Sequence, residues 1–196
     1  MKSASLILLM IPTLLAATAV AAEEASFVTY RSHDPALPIT FDYPADWKVM
    51  SRPSGGQAPG LQVIAPPSPR IHGLIILTVS VQPLKAAGGQ YASAKELVEF
   101  YKSHMPPSSE PGEATVLGVT AVKLSMRSQA RSPSRTIPSE LVPKKGERVI
   151  FEKDDQLYEL TWTAPDEAVP QAAAAFEHLL RTLALIDDSA PAPAAP

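Results

Sequence analysis

Phe41-Asp42-Tyr43-Pro44-Ala45-Asp46-Trp47-Lys48-Val49 is the stretch from which the fold can be inferred. Phe41 and Tyr43 share a strand parity and therefore point to one face. Pro44 presets φ at the second position of a tight turn, Tyr43 to Asp46, which sends the chain back at Trp47. The pattern predicts a hairpin whose large apolar side chains nucleate the core and carry no chemistry.

The first 22 residues have the layout of a secretory signal peptide. Lys2 gives a positive start, Leu6 to Leu15 form an apolar run, and Ala19-Val20-Ala21-Ala22 offers a cleavage site of small residues. The apolar run is shorter than the about 20 residues that span a bilayer. We therefore expect 1–22 to be a Sec-type signal peptide. The mature protein is expected to be soluble, periplasmic or secreted, and not an integral membrane protein.

The sequence contains no cysteine, which excludes several kinds of site and anchor. Disulfides and thiolate zinc sites are ruled out, so the fold depends on its hydrophobic core. A lipoprotein is excluded because no cysteine stands at the cleavage site. The formal net charge is −3, or about −4 after loss of Lys2. So mild an acidic balance gives no reason to expect nucleic acid as a partner.

Hydrophobic periodicity predicts one α/β (α+β) domain over 23–187, with more strands than helices. Strands are expected at 26–31, 37–43, 47–51, 61–65, 71–81, 115–117, 120–128, 147–153 and 156–163. Gly118 and Asp154-Asp155 are the expected turns of two hairpins. Residues 188–196 are rich in alanine and proline and are expected to form a disordered tail.

Two helices are predicted. The first begins with the capping box Ser93-Ala94-Lys95-Glu96, in which the serine oxygen accepts from a free amide and the glutamate reaches back. Its amphipathic stripe consists of Leu97, Phe100, Tyr101 and His104. The second helix has Pro170 at its first position. Its buried stripe is expected to consist of Ala173, Phe176, Leu180 and Leu183.

The order of these motifs resembles the PsbP-like superfamily over roughly 27–185. The motifs are Phe41-x-Tyr43-Pro44-x-x-Trp47, the capped helix after a hydrophobic strand, Val116-x-Gly118-x-x-Ala121, Tyr158-x-Leu160 and a closing helix from Phe176 to Leu183. The resemblance implies a mostly antiparallel central sheet flanked by helices, in an αβα sandwich. It also implies a non-enzymatic binding or assembly role, and it transfers no metal or docking residue to this chain. Without a chloroplast transit signal or a long basic N-terminal arm, a non-photosynthetic bacterial relative is expected.

No constellation in the sequence predicts catalysis, a metal or a cofactor. Gly-x-Ser-x-Gly is absent, and Ser103 and His104 are adjacent on a helix, where we expect them to face away from each other. Adjacent carboxylates such as Asp154-Asp155 cannot flank a substrate. The histidines lack the spacing of metal-ligand pairs; they are His33, His72, His104 and His178.

One segment carries a local excess of positive charge. Between 127 and 148 only Glu140 and Glu147 oppose Arg127, Arg131, Arg135, Lys144, Lys145 and Arg148. We expect 130–143 to be a long connection between strands, and long irregular loops are often functional. The binding hypothesis is that this loop docks an envelope protein or an anionic surface through Arg127, Arg131, Arg135, Lys144 and Lys145. The alternative is a solvated loop whose charges preserve solubility.

These observations predict a non-catalytic, monomeric module that binds or helps to assemble an envelope macromolecule. Two alternatives stay open. An envelope hydrolase would need histidines and a carboxylate to converge in a concave site. A carrier of an apolar ligand would need an enclosed cavity between the sheet and the alanine-rich last helix, and a filled core would exclude it.

Overall fold

The computed structural model describes residues 26–52, 58–105, 107–131 and 141–186. The expected signal peptide at 1–22 and the expected tail at 188–196 lie outside these ranges. Within them the chain forms two sheets and two α-helices, which confirms the predicted α+β class. No helix in these ranges is both long and apolar enough to cross a bilayer.

The strands pair antiparallel throughout the described part of the chain. They are β1 (Phe27–Arg31), β2 (Ile39–Pro44), β3 (Lys48–Arg52), β4 (Gly60–Ile64), β5 (Ile76–Pro83), β6 (Gly112–Val116), β7 (Val119–Arg131), β8 (Leu141–Lys153), β9 (Gln156–Pro165) and β10 (Ala184–Leu185). The helices are α1 (Ala94–His104) and α2 (Val169–Thr182). The small sheet has the order β1-β2-β10, and the large sheet has the order β3-β4-β5-β9-β8-β7-β6.

The turn at Pro44 connects the two sheets, so the predicted hairpin is wrong. β2 pairs with β1 and β10, whereas β3 pairs with β4 in the large sheet. Both edges of β2 are occupied, and none is left for β3. The turn itself lies one residue later than expected, because the Trp47 N–H donates to the Pro44 carbonyl at 3.0 Å. Phe41 and Trp47 are nevertheless both buried in the main core, as predicted.

The two expected turns of the large sheet are confirmed. Leu117 and Gly118 have φ of 53° and 76° between β6 and β7, and Asp154 and Asp155 have φ of 50° and 58° between β8 and β9. Two successive residues with positive φ match the twist of a tight antiparallel hairpin. The second turn places Lys153 opposite Gln156 and so sets the register of β8 against β9.

Helix α2 packs against one face of the large sheet and fills the main core. Phe176 and its buried neighbours Ala172, Ala175 and Leu179 belong to the same core as the aromatic side chains of β2 and β9. The buried face is rotated from the predicted stripe, because Ala173 and Leu180 are only half-buried. The Asp42 N–H donates to Thr182 Oγ1 at 2.9 Å, which ties α2 to the small sheet.

Helix α1 covers part of the opposite face. The Glu96 N–H donates to Ser93 Oγ at 3.1 Å, which confirms the predicted N-cap. The Glu96 carboxylate reaches back and accepts from the Ala92 N–H at 2.6 Å. Buried Leu97 contributes to a second, smaller core that also contains Val98, Leu124, Ile150 and Leu157. The two helices therefore sandwich the large sheet, as the PsbP-like resemblance implied.

Truncation of Phe176 tests how far the main core depends on α2. Phe176 is 1% exposed, so Phe176→Ala should lower the free energy of unfolding by about 3–5 kcal/mol through lost burial and a cavity. Urea unfolding followed by circular dichroism measures the change. The exposed neighbour gives a matched control, because Glu177→Ala should change stability by less than about 0.5 kcal/mol. Equal losses in the two variants would contradict this packing.

Candidate functional site

The predicted basic loop is mostly strand. β7 and β8 pair from Val122 opposite Ile150 to Arg131 opposite Leu141, so only 132–140 connects them. β9 follows β8 only as far as Lys144. The outer residues, 127–131 of β7 and 141–145 of β8, are called here the arm. Its base at Lys144 and Lys145 still pairs with β9, and beyond Lys144 the arm is a two-stranded ribbon.

Three of the five predicted binding residues come together at the base of the arm. Arg127 lies directly opposite Lys145 in the β7–β8 register, and both are exposed. Lys144 points to the other face of the strand, where its Nζ donates to the Leu74 carbonyl at 3.3 Å. Partial burial lowers the pKa of Lys144. With Asp166, these three residues line an open groove of about 480 Å³.

The carboxylate of Asp166 balances part of this positive charge. Lys145 Nζ lies 3.4 Å from Asp166 Oδ1 in an exposed ion pair. Such a pair is worth little in water, so Lys145 remains available to a partner. The Arg131 backbone belongs to β7, whereas its side chain and all of Arg135 lie outside the described residues. Arg148, counted in the same cluster, lies further along β8 in a different environment.

A polar cleft lies on the α1 face of the large sheet, and the sequence reasoning missed it. Its volume is about 780 Å³. The floor presents Thr78 and Ser80 of β5, Glu159 and Thr161 of β9, and Arg148 of β8. Cross-strand pairing places Thr78 opposite Thr161, which in turn lies opposite Arg148. These side chains form a continuous polar row on one face of the sheet.

The connection between β5 and α1 forms one wall of the cleft. Gly88 has φ of 96°, and a Cβ built on Gly89 would lie only 1.6 Å from the Pro83 carbonyl oxygen. Both positions therefore require glycine for the chain to turn back on itself. This reversal of the chain brings Tyr91 to the cleft. There its ring packs against Phe100 of α1 at a centroid distance of 5.8 Å.

Arg148, Glu159 and Tyr101 form a compact triad at the centre of the cleft. Arg148 Nε lies 2.8 Å from Glu159 Oε1, with about 14% and 18% of the two side chains exposed. The Nε–H is not directed at this oxygen, so the contact is an ion pair without a linear hydrogen bond. The Tyr101 hydroxyl donates to the same oxygen at 2.9 Å. The guanidinium carbon lies 3.5 Å from the centre of the Tyr101 ring, a cation–π contact.

The sequence contained a signal for part of this triad. A two-residue turn at Asp154-Asp155 places Arg148 opposite Thr161. Arg148 and Glu159 are then diagonal neighbours on one face, within reach of a long side chain. Tyr101 is on the predicted stripe of α1, but only the docking of the helix brings its hydroxyl to Glu159.

The cleft changes the titration of its phenols. Burial raises the pKa of Tyr101, and the Glu159 charge adds to the rise although Arg148 opposes it. Burial also raises the pKa of Tyr91, with further contributions from Glu159 and Glu96. Both phenols are therefore neutral at physiological pH and act there as hydrogen-bond donors and acceptors.

The histidines lie apart from one another. His33 lies beside Asp34, whose carboxylate accepts from the Ala36 N–H in a local turn. His178 stacks on Phe27 at 3.6 Å, and His72 contacts Glu167 through its backbone N–H. In the described ranges, no three His, Asp or Glu side chains are placed to hold a metal ion.

Ser103 and His104 are closer together than expected. Ser103 Oγ lies 3.0 Å from His104 Nδ1, so the expectation that they face apart is wrong. The same nitrogen lies 2.9 Å from the Phe100 carbonyl oxygen, which can only accept. Nδ1 therefore carries the proton and cannot act as the base for Ser103. The pair offers no activated nucleophile.

A double-mutant cycle tests the ion pair. Arg148→Met should lower the free energy of unfolding by roughly 2 kcal/mol, because it leaves the Glu159 carboxylate largely buried and unpaired. Glu159→Gln should also destabilise the fold. The double variant should lose less than the sum of the two single variants, since no unpaired charge remains. Additive losses in urea unfolding would show that the two groups are not coupled.

The raised pKa of Tyr101 leads us to expect that the folded protein loses stability at alkaline pH. Its pKa in the folded protein lies above the ordinary value of 10.0, so the unfolded chain ionises first as the pH rises. The contribution is fully present below pH 10 and is lost progressively above it. Thermal melts between pH 8 and about 12 should fall more steeply for the wild type than for Tyr101→Phe. Parallel curves would contradict the assignment.

Comparisons with known proteins support the fold. Neither family models nor curated proteins match the chain. A crystal structure of a protein from Bacteroides thetaiotaomicron is similar, with a TM-score of 0.52 and 12% sequence identity. The match covers 84% of this chain but only 50% of that chain. Cyanobacterial PsbP from Synechocystis sp. PCC 6803 is also similar, with a TM-score of 0.46 and 11% identity over 84% of this chain and 95% of that one.

A third similar structure is LpqN, described as involved in cell envelope biogenesis of Mycobacterium tuberculosis. Its TM-score is 0.48, with 17% identity over 83% of this chain and 91% of that chain. At such low identity the likeness concerns the fold alone.

Proposed function

We propose that this protein is an exported, non-catalytic binding module that recognises an acidic envelope macromolecule through the base of the arm. The observation that carries the proposal is the cross-strand pair of Arg127 and Lys145, two exposed cations held opposite each other on paired strands. Paired strands hold both charges without the entropy cost of ordering a loop.

The shape of the arm also suits recognition. Beyond Lys144 no strand pairs with β8 on its β9 side in the described chain, so that edge is open. Pro143 on this edge lacks an N–H and therefore discourages pairing with a further strand. The charges and side chains of the arm, more than backbone pairing, would then select the partner.

Export is supported by the layout of 1–22, with Lys2, an apolar run and a small-residue cleavage site. The absence of cysteine is consistent with a fold that needs no disulfide in an oxidising compartment. The carrier alternative receives no support from α2, because its small side chains serve close packing: Ala172 and Ala175 are 0% and 4% exposed.

Charge reversal at the arm tests the proposal. The variant Arg127→Glu/Lys145→Glu should bind isolated envelopes of the native host at least about tenfold more weakly, because each cation near an anionic surface contributes about 1 kcal/mol. Binding of purified, signal-cleaved protein is measured by co-sedimentation at several salt concentrations. The wild type should also lose affinity as the salt concentration rises.

A matched control carries the same change in net charge elsewhere. Lys48 and Lys95 are exposed and lie outside the arm, so Lys48→Glu/Lys95→Glu should bind as the wild type does. Protease-treated envelopes and phosphatidylglycerol vesicles then separate a protein partner from an anionic lipid surface. Equal binding by both double variants would overturn the role of the arm. Retention of the wild-type chain in the cytoplasm of its host would overturn export.

A further inference from the structure

The polar cleft on the α1 face exists because α1 is too short and too far to one side to cover the sheet. Leu97 and Val98 pack over Leu124, Ile150 and Leu157, on β7, β8 and β9. The neighbouring half of the same face, on β5 and the adjoining part of β9, carries hydroxyl side chains instead of apolar ones. On β5, half-buried Thr78 and Ser80 alternate with fully buried Leu77 and Val79.

We infer that this cleft binds an uncharged, polyhydroxylated ligand, namely a segment of a neutral glycan chain. Its volume of about 780 Å³ falls within the roughly 300–1,000 Å³ of small-molecule sites. The cleft is open to solvent, so a longer chain could lie across it. The inference does not depend on the arm.

The electrostatics of the floor argue against a charged ligand. Arg148 and Glu159 are 2.8 Å apart and neutralise each other. An anion would approach the Glu159 carboxylate, and a cation would approach the Arg148 guanidinium. Either would have to break or unbalance a largely buried pair, which is costly. A ligand without net charge has no such penalty.

The same pair offers hydrogen bonds of both kinds. The Tyr101 hydroxyl donates to Glu159 Oε1, and Arg148 Nε lies 2.8 Å from the same oxygen. Among the described residues, neither Glu159 Oε2 nor the terminal nitrogens of Arg148 have a hydrogen-bond partner. A sugar hydroxyl can donate to the carboxylate oxygen while its neighbour accepts from the guanidinium. Thr78, Ser80 and Thr161 add hydroxyls that can donate or accept.

Tyr91 supplies the remaining requirement of a sugar site, a flat apolar surface. Its ring is fixed by packing on Phe100, and the Lys85 N–H donates to the Tyr91 carbonyl at 2.7 Å. The C–H face of a pyranose can pack on such a ring while its hydroxyls reach the floor. Gly89 packs directly against the Pro83 carbonyl, a close approach that only glycine allows, and this contact fixes the path of the wall.

Amide NMR of the mature full-length protein tests the inference. Maltohexaose, cellohexaose and N-acetylchitohexaose are titrated separately, with hexagalacturonate and inorganic phosphate as charged comparators. At least one neutral hexasaccharide should shift the amides of Thr78, Ser80, Tyr91 and Thr161. No shift with any of the three, shifts confined to other surfaces, or tighter binding of hexagalacturonate or phosphate would overturn it.

Isosteric variants separate binding from folding. Thr78→Val and Thr161→Val keep side-chain volume and β-branching and remove one hydroxyl each, so each should weaken the hexasaccharide about threefold to tenfold. Thr163→Val is the matched control, because Thr163 lies on the same face of β9 but does not line the cleft. Equal affinity for all three variants would contradict the site.

The arm variant distinguishes envelope binding by the arm from glycan binding by the cleft. Arg127→Glu/Lys145→Glu should retain the amide shifts produced by the hexasaccharide, since neither residue lines the cleft. Loss of envelope binding with intact sugar binding would support both proposals. Loss of sugar binding in this variant would contradict the placement of the ligand in the cleft.

Discussion

The rest of the structure depends on the register between β8 and β9. Asp154 and Asp155 both adopt positive φ, which closes the shortest hairpin turn and places Lys153 opposite Gln156. Because side chains alternate across a strand, a slip of one residue would exchange the two faces. In the observed register, Ile150 and Leu157 meet α1 while Phe151 and Tyr158 stack in the main core at 4.8 Å.

Local reasoning predicted the buried residues of the core better than the pairing of the strands. The burial of Phe41 and Trp47 follows from alternation and residue type, and both positions were predicted correctly. The partner of β2 cannot be derived in this way. Thr40 pairs with Ala184 near the far end of the chain, and no pattern around Pro44 encodes a contact over that distance.

The candidate site was partly predictable for related reasons. The charge excess was visible in the sequence, but the prolines suggested a loop where two long strands form. Pro143 fits at the end of β8 because β9 no longer pairs there, so its missing N–H costs no bond on that edge. Arg148, placed in the same cluster by sequence, lies on the opposite face of β8 from Lys145 and is paired there with Glu159.

The two faces of the large sheet follow different physical requirements. On the α2 face, Leu77, Val79 and Leu160 are completely buried, and apolar burial of this kind is the main source of stability. On the α1 face, the same strands carry an ion pair and a row of hydroxyls. A largely buried ion pair contributes little net stability, because desolvation offsets the attraction. An apolar pair would fold as well at these positions. The polar side chains are therefore better explained by what they present to the cleft than by what they add to the fold.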